Sequence, residues 1–151
     1  MSQPLIIRAG VPHAAVLSAL HGAVFPHAAW NESAFLTLLN QAGTLAFIHE
    51  FDGFLLLRVV LDEAEILTFG TTQKRQGIGS ALLHEGLSVL AQARVQTLYL
   101  EVAARNQAAR HFYEKFGFMV TGRRKAYYED GDDALTMRLS CRGSERTDNH
   151  G

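Results

Sequence analysis

The stretch QKRQGIGSALLH (Gln73–His84) carries residue types that meet in anion-binding loops. Gly77 and Gly79 follow a Lys74-Arg75 pair and lead straight into leucines at helical spacing. A helix start exposes unpaired N–H groups at the positive end of its dipole, so it attracts phosphate. Glycines there lack the Cβ atoms that would hold a pyrophosphate off the backbone. Lys74 and Arg75 could add charge-assisted contacts. The same residues also fit a plain glycine turn beside two solvated cations, and the stretch alone does not choose. Two familiar phosphate loops are excluded. A P-loop needs a lysine after its second glycine, and none stands here. A Rossmann fingerprint needs a third glycine and opens a βαβ unit, whereas the strand before this stretch belongs to an antiparallel meander.

Other chemistry-bearing residues are more scattered. His13, His21, His27, His49, His84, His111 and His150 show no metal-ligand spacing with a carboxylate or cysteine, so no metal is expected. Cys141 is the single cysteine, which rules out an internal disulfide and any dependence on an oxidising compartment. Arg123, Arg124 and Lys125 are balanced by Glu129, Asp130, Asp132 and Asp133, and read as a solvated face. Trp30, Tyr127 and Tyr128 could line an acceptor groove or pack a core edge.

The elements that position these residues follow from periodicity. Leu5–Arg8 reads as a strand, and Pro12 opens a helix carrying Leu17, Leu20 and Val24. Asn31 is a candidate N-cap for a helix with Phe35, Leu38 and Leu39, closed by Gly43. TLAFIHEF and FLLLRVVL flank Asp52-Gly53, a strong hairpin signal. A turn at Asp62-Glu63 then leads to a strand over Ala64–Phe69. After the glycines comes a helix with Leu83, Leu87 and Leu90 on one face. Val95–Val102 alternates, placing Leu98, Leu100 and Val102 opposite Tyr99 and Glu101. Asn106 then caps a helix with Ala109, Phe112, Tyr113 and Phe116, ended by Gly117. FMVTG and DALTMRL make two closing strands.

The chain has 151 residues, 48% hydrophobic and 19% charged, with a formal net charge of −1. That is one domain's length with the apolar content to bury a core, and it carries no global basic field for nucleic acid. MSQPLIIRAG lacks the basic region and apolar run of a signal peptide, and no apolar run approaches a membrane span. A cytoplasmic protein, free of membrane and nucleic acid, is expected.

Taken in order, QKRQGIGSALL, LYLEV and RNQAARHFYEKFGF resemble the GCN5-related N-acetyltransferase (GNAT) family in motif and spacing. AWNESAF (Ala29–Phe35), DEAEIL (Asp62–Leu67) and GRRKAYYEDGDDALTMRL extend the likeness to its ribosomal-protein-alanine branch, over Leu5 to Leu139. The resemblance implies an α/β (α+β) domain over residues 1–139, with a mixed, mostly antiparallel sheet flanked by helices. Residues 140–151 would form a disordered polar tail. It implies acetyl-CoA as co-substrate, its pyrophosphate held by Lys74, Arg75, Gln76, Gly77, Ile78, Gly79 and Ser80. Asn106 would contact the pantetheine arm, and the backbone of Leu67, Thr68, Phe69 and Gly70 would polarise the thioester carbonyl. Glu101 would be the general base and Tyr113 the general acid. Trp30 and Tyr127 would bind the acceptor, a protein N-terminal amine.

The sequence departs from the family at several points. Lys74 stands where Gln or Arg is usual, and Ala103 and Arg105 replace the branch's Arg and Ser. The connection before Gly77 is about two residues short and lacks a Val-x-Pro segment. A lysine or small-molecule amine acceptor remains open, as does a non-catalytic acyl-CoA-binding module, although the presence of both Glu101 and Tyr113 opposes the latter. A monomer or weak dimer is expected.

Overall fold

The computed structural model describes residues 5–73 and 77–141. In chain order the elements are β1 (Ile6–Ala9), a 3-10 turn at Val11–His13, α1 (Ala14–Val24), α2 (Glu32–Asn40), β2 (Thr44–His49), β3 (Gly53–Val60) and β4 (Glu63–Thr71). There follow α3 (Ile78–Gln92), β5 (Thr97–Ala103), α4 (Gln107–Phe116), β6 (Met119–Arg124) and β7 (Ala134–Ser140). The seven strands form one sheet in the order β1-β2-β3-β4-β5-β7-β6. Every pairing is antiparallel except β4 with β5. The expected mixed, mostly antiparallel α/β architecture is therefore present.

The β3 run Phe54–Leu57 is buried throughout because both of its faces are covered. Leu55 and Leu57 join a core with Leu82, Leu83, Leu87 and Leu90 of α3 and with Leu98, Leu100 and Val102 of β5. Phe54 and Leu56 face the other way, onto Ala14 and Leu17 of α1 and Phe35 of α2. A Cβ on Gly86 would lie 2.9 Å from Leu55 Cδ2, so α3 approaches β3 closely only because that residue is glycine.

Local signals are realised with small shifts. Asn31 Oδ1 accepts the Ala34 N–H at 2.8 Å and caps α2. α2 ends at Asn40, and Gly43 lies three residues beyond, with φ +89°, in the turn to β2. The second meander turn falls one residue early, at Leu61-Asp62, with Leu61 at φ +58° and 92% exposed. β4 accordingly begins at Glu63, before the expected Ala64. β7 runs through Ser140 and Cys141 is buried, so the sheet takes these two residues out of the expected tail. Residues 142–151 lie outside the described residues. Among the described residues no helix is long and apolar enough to cross a membrane.

Candidate active site

The site forms where the central ladder stops. β4 and β5 pair only through Glu63↔Thr97, Ala64↔Leu98 and Glu65↔Tyr99. Beyond Glu65 the strands diverge. β4 also carries a bulge: Leu56 pairs with Thr68 and Leu57 with Ile66, which leaves Leu67 unpaired on β3. A bulge bends its strand and sharpens the local twist, here at the point of divergence. The opening is a cleft of about 610 Å³ lined by Ile66 and Leu67 of β4, Tyr99 and Glu101 of β5, Arg124 at the end of β6, and Tyr127 and Tyr128 beyond it, among others.

Glu101 projects from the face of β5 opposite Leu100 and Val102. Its side chain is 37% exposed, and Arg124 Nε lies 3.7 Å from its Oε2. Arg124 also sits over the Tyr127 ring, 5.4 Å from the centroid. Tyr127 and Tyr128 meet edge to face at 5.1 Å. Burial raises the Tyr128 phenol above its ordinary range, and the Glu101 carboxylate nearby pushes the same way.

The other side of the divergence is aromatic. Tyr113 of α4 packs among Phe112 (5.5 Å), Phe118 (5.4 Å) and Phe69 of β4 (6.3 Å). Desolvation pushes its phenol well above the ordinary range, so Tyr113 stays protonated at any working pH. Among the described residues its hydroxyl makes no hydrogen bond. Asn106 caps α4, its Oδ1 accepting the Ala109 N–H at 3.1 Å. Gly117 closes that helix in the left-handed region, with φ +112°.

At the start of α3, Gly77 has φ +95° and is the N-cap, and among the described residues a Cβ there would meet nothing within 4 Å. This open backbone at a helix N-terminus suits a pyrophosphate. Gly79 differs: its Cβ position lies 3.5 Å from the Phe69 ring and 3.6 Å from the Phe112 ring. A Cβ there would make ordinary contact with the aromatic cluster, so packing alone does not require glycine. Ile78 is buried in the core and Ser80 half-buried beside it. Lys74, Arg75 and Gln76 lie outside the described residues.

A match to the acetyltransferase (GNAT) family model spans residues 18–118. The chain belongs to that family. This GNAT protein is 39% identical to the ribosomal protein bS18-alanine N-acetyltransferase of Escherichia coli K12 over 106 residues, 67% of this chain and 68% of that one. The Haemophilus influenzae enzyme of the same name is 41% identical over 103 residues, 63% of this chain and 70% of the other. The crystal structure of the Escherichia coli ribosomal-protein-S18-alanine N-acetyltransferase superposes with a TM-score of 0.82 at 30% identity, covering 91% of this chain and 93% of that one. Arabidopsis thaliana NAA60 in complex with acetyl-CoA shares the fold, with a TM-score of 0.76 at 19% identity over 89% of this chain and 97% of that one. The GNAT fold and N-acetyltransferase class expected from the sequence are borne out.

The sequence-derived site residues of this GNAT protein do not all converge. Leu67, Glu101 and Tyr127 line one cleft. Phe69 and Tyr113 meet in the aromatic cluster, to which Gly79 presents its open side. Thr68 is buried in the sheet. Trp30 is not among the cleft's lining residues: it stacks on the His21 ring at 4.6 Å, and its N–H donates to His21 Nδ1 at 3.2 Å. Arg124 and Tyr128 belong to the cleft, and Arg124, whose side chain is 63% exposed, also meets solvent as the charge pattern expected. That pattern holds too for Arg123, whose Nε donates to Asp133 Oδ2 at 2.6 Å.

The reason lies in the turn over residues 125–133, which is shaped by carboxylates. Asp133 Oδ1 accepts the N–H of Ala126, which sits at φ +50°. Asp130 Oδ1 accepts the Asp132 N–H at 2.9 Å, and the Tyr128 N–H donates to the Asp132 carbonyl at 3.1 Å. The turn thereby folds Tyr127 and Tyr128 back beside Arg124. Among the described residues no group of three His, Cys, Asp or Glu could hold a metal.

Proposed function

We propose that this GNAT protein moves the acetyl group of acetyl-CoA to the α-amine of a protein N-terminus, an alanine of a small-subunit ribosomal protein of the S18 type. The observation that carries the reading is the divergence of β4 from β5, which sets a solvent-reaching carboxylate, Glu101, across a cleft from a stretch of β4 backbone that has no partner on β5. The acetyl-CoA complex of the NAA60 fold relative and the names of the bacterial relatives agree with it.

Each residue has a role in this reading. The first N–H groups of α3, freed at Gly77, hold the pyrophosphate. The β4 backbone over Leu67–Gly70, which has no partner on β5, offers N–H donors to the thioester carbonyl as negative charge develops on it. Glu101 takes the ammonium proton, directly or through a water. An α-amine with a pKa near 7.7–8.0 is about one-seventh free at pH 7, whereas a lysine near 10.4 is free in roughly one molecule in 2,500. An exposed carboxylate with a single cation beside it suits the lighter of these tasks. Tyr113, held neutral, donates its hydroxyl hydrogen to the departing thiolate. Full transfer from so weak an acid to a thiolate of pKa near 8.5 is uphill, so Tyr113 acts through its hydrogen bond while solvent completes protonation.

Mass spectrometry after incubation with acetyl-CoA tests the reading. The panel comprises the S18 N-terminal peptide, the same peptide blocked at its α-amine, and a lysine-only peptide. Acetylation confined to the free α-amine is expected. Acetylation of the blocked or lysine-only peptide overturns the N-terminal assignment.

A further inference from the structure

Asp132 makes a tie that the chemistry above does not use. It is 6% exposed and lies in the acidic turn, far from any solvent-facing role. Its Oδ2 accepts the Arg105 N–H at 3.0 Å, across a sequence separation of 27 residues. Its Oδ1 accepts the Asp133 N–H at 2.8 Å, and Arg105 Nε lies 3.7 Å from the same oxygen. The Ala104 N–H donates to the Asp133 carbonyl at 2.8 Å, next to it. Arg105 closes the short link between the end of β5 and Asn106, the cap of α4. The carboxylate therefore bolts the turn that carries Tyr127 and Tyr128 onto the strand that carries Glu101.

We infer that Asp132 is a positioning residue that sets the distance between the tyrosine wall and Glu101, and so governs acceptor binding. The inference rests on the acceptor reading of the cleft given above. Its physical content is an asymmetry between the two anchors. The link at Arg105 is held independently: α4 is fixed by Tyr113, Phe112 and Phe116 against the core, and β5 by its ladder with β7. The turn packs into no core of its own, and besides the Asp132 carboxylate only the Ala104 N–H to Asp133 carbonyl bond, at its last residue, ties it to the end of β5 among the described residues. Tyr127 is 50% exposed, and the turn includes two residues in the left-handed region, Ala126 at φ +50° and Gly131 at φ +85°. When the bolt is cut the turn moves and the floor stays. Acceptor affinity then falls while coenzyme affinity holds.

Asp132→Asn keeps the shape and replaces one accepting oxygen with a donor, so one of the two part-buried N–H groups faces an NH2. The expected result is an acceptor-peptide KM raised about tenfold, the loss associated with one charge-assisted hydrogen bond. The acetyl-CoA Kd should stay within twofold and kcat within threefold. In amide hydrogen exchange, the Arg105 and Tyr128 amides should speed up together while β5 amides do not change. Asp133→Ala, which removes the acceptors of both the Ala126 N–H and Arg123 Nε, should raise the acceptor KM in the same selective way and serves if Asp132→Asn does not fold. Glu129→Gln, elsewhere on the turn, should leave all three constants unchanged. A variant with a lowered Tm but unchanged acceptor KM, or with acetyl-CoA and peptide affinities falling together, overturns the inference. If the wild-type protein acetylates no N-terminal peptide, the acceptor reading fails instead. The exchange measurement then still decides the tie, which is refuted if Tyr128 speeds up and Arg105 does not.

Discussion

Gly77 offers a perturbation whose two effects separate. It sits at φ +95°, and among the described residues a Cβ there would meet nothing within 4 Å. A substitution therefore costs conformational energy and no collision. For an ordinary L-residue that cost is about 1–2 kcal/mol. In a domain of this size each kcal/mol moves Tm by roughly 2–4 °C, so Gly77→Ala should lower Tm by about 2–8 °C. Asparagine enters the left-handed region more readily, so Gly77→Asn should lose less than half as much. Both variants nevertheless put a Cβ into the open space before the first α3 N–H groups. Titration calorimetry with acetyl-CoA should find both weakened about tenfold or more, whatever their Tm. An Asn variant that binds acetyl-CoA like the wild type would reduce Gly77 to a turn residue. A fully stable Ala variant would refute the conformational argument itself.

Three further outcomes follow from the same geometry. Glu101→Gln should lower kcat about a hundredfold with the acetyl-CoA Kd unchanged, and equal turnover would remove Glu101 from proton transfer. Tyr113→Phe should lower kcat about ten- to a hundredfold without altering the fold, since the ring stays among Phe69, Phe112 and Phe118. A loss of coenzyme binding alone would make Tyr113 a packing residue. His21 is 3% exposed, and burial holds its imidazole below the ordinary 6.5. The unfolded chain then takes up a proton that the folded one refuses, so stability present above pH 6.5 is lost as pH falls towards the lowered folded value. Thermal unfolding at pH 7.5 and 5.5 should give a smaller drop for His21→Gln than for the wild type.

What was legible in the sequence is what short-range chemistry controls. The caps at Asn31 and Asn106, the left-handed Gly117 and the Asp52-Gly53 hairpin each depend on residues three or four apart. The alternation that set Glu101 opposite Leu100 and Val102 is equally local. The cleft itself is not local. It needs β7 inserted between β5 and β6, a bulge at Leu67, and a parallel pairing that ends at Glu65↔Tyr99. No periodicity encodes these. Tyr128 was offered as a groove residue beside Tyr127, whereas the place of Arg124 in the cleft was missed because charge balance reads it, with the acidic run 129–133, as a solvated face. Its aspartates instead accept backbone N–H groups and fold the turn. Trp30 was offered both for an acceptor groove and for a core edge, and no local pattern shows that the buried His21 holds it by stacking and by accepting its backbone N–H.

The functional groups sit where the fold forgoes pairing, and the helices explain why that is tolerated. On one face α3 and α4 carry an uninterrupted core from Leu57 of β3 through Leu98 and Leu100 of β5 to Leu135 and Met137 of β7. That core crosses the divergence and supplies the cohesion the missing ladder does not. On the other face α1 and α2 pack over Ala46, Ile48, Phe54 and Leu56, on β2 and β3. Past them, among the described residues, this face of the sheet meets no helix, and Tyr99 and Glu101 reach the opening. Water can satisfy backbone groups left unpaired at such an edge, so the interruption costs far less than it would in a closed interior. An ionised carboxylate is likewise cheap there and expensive a strand's thickness away. The same one-sided cover thus lets the sheet open and lets the Glu101 side chain reach solvent at its mouth.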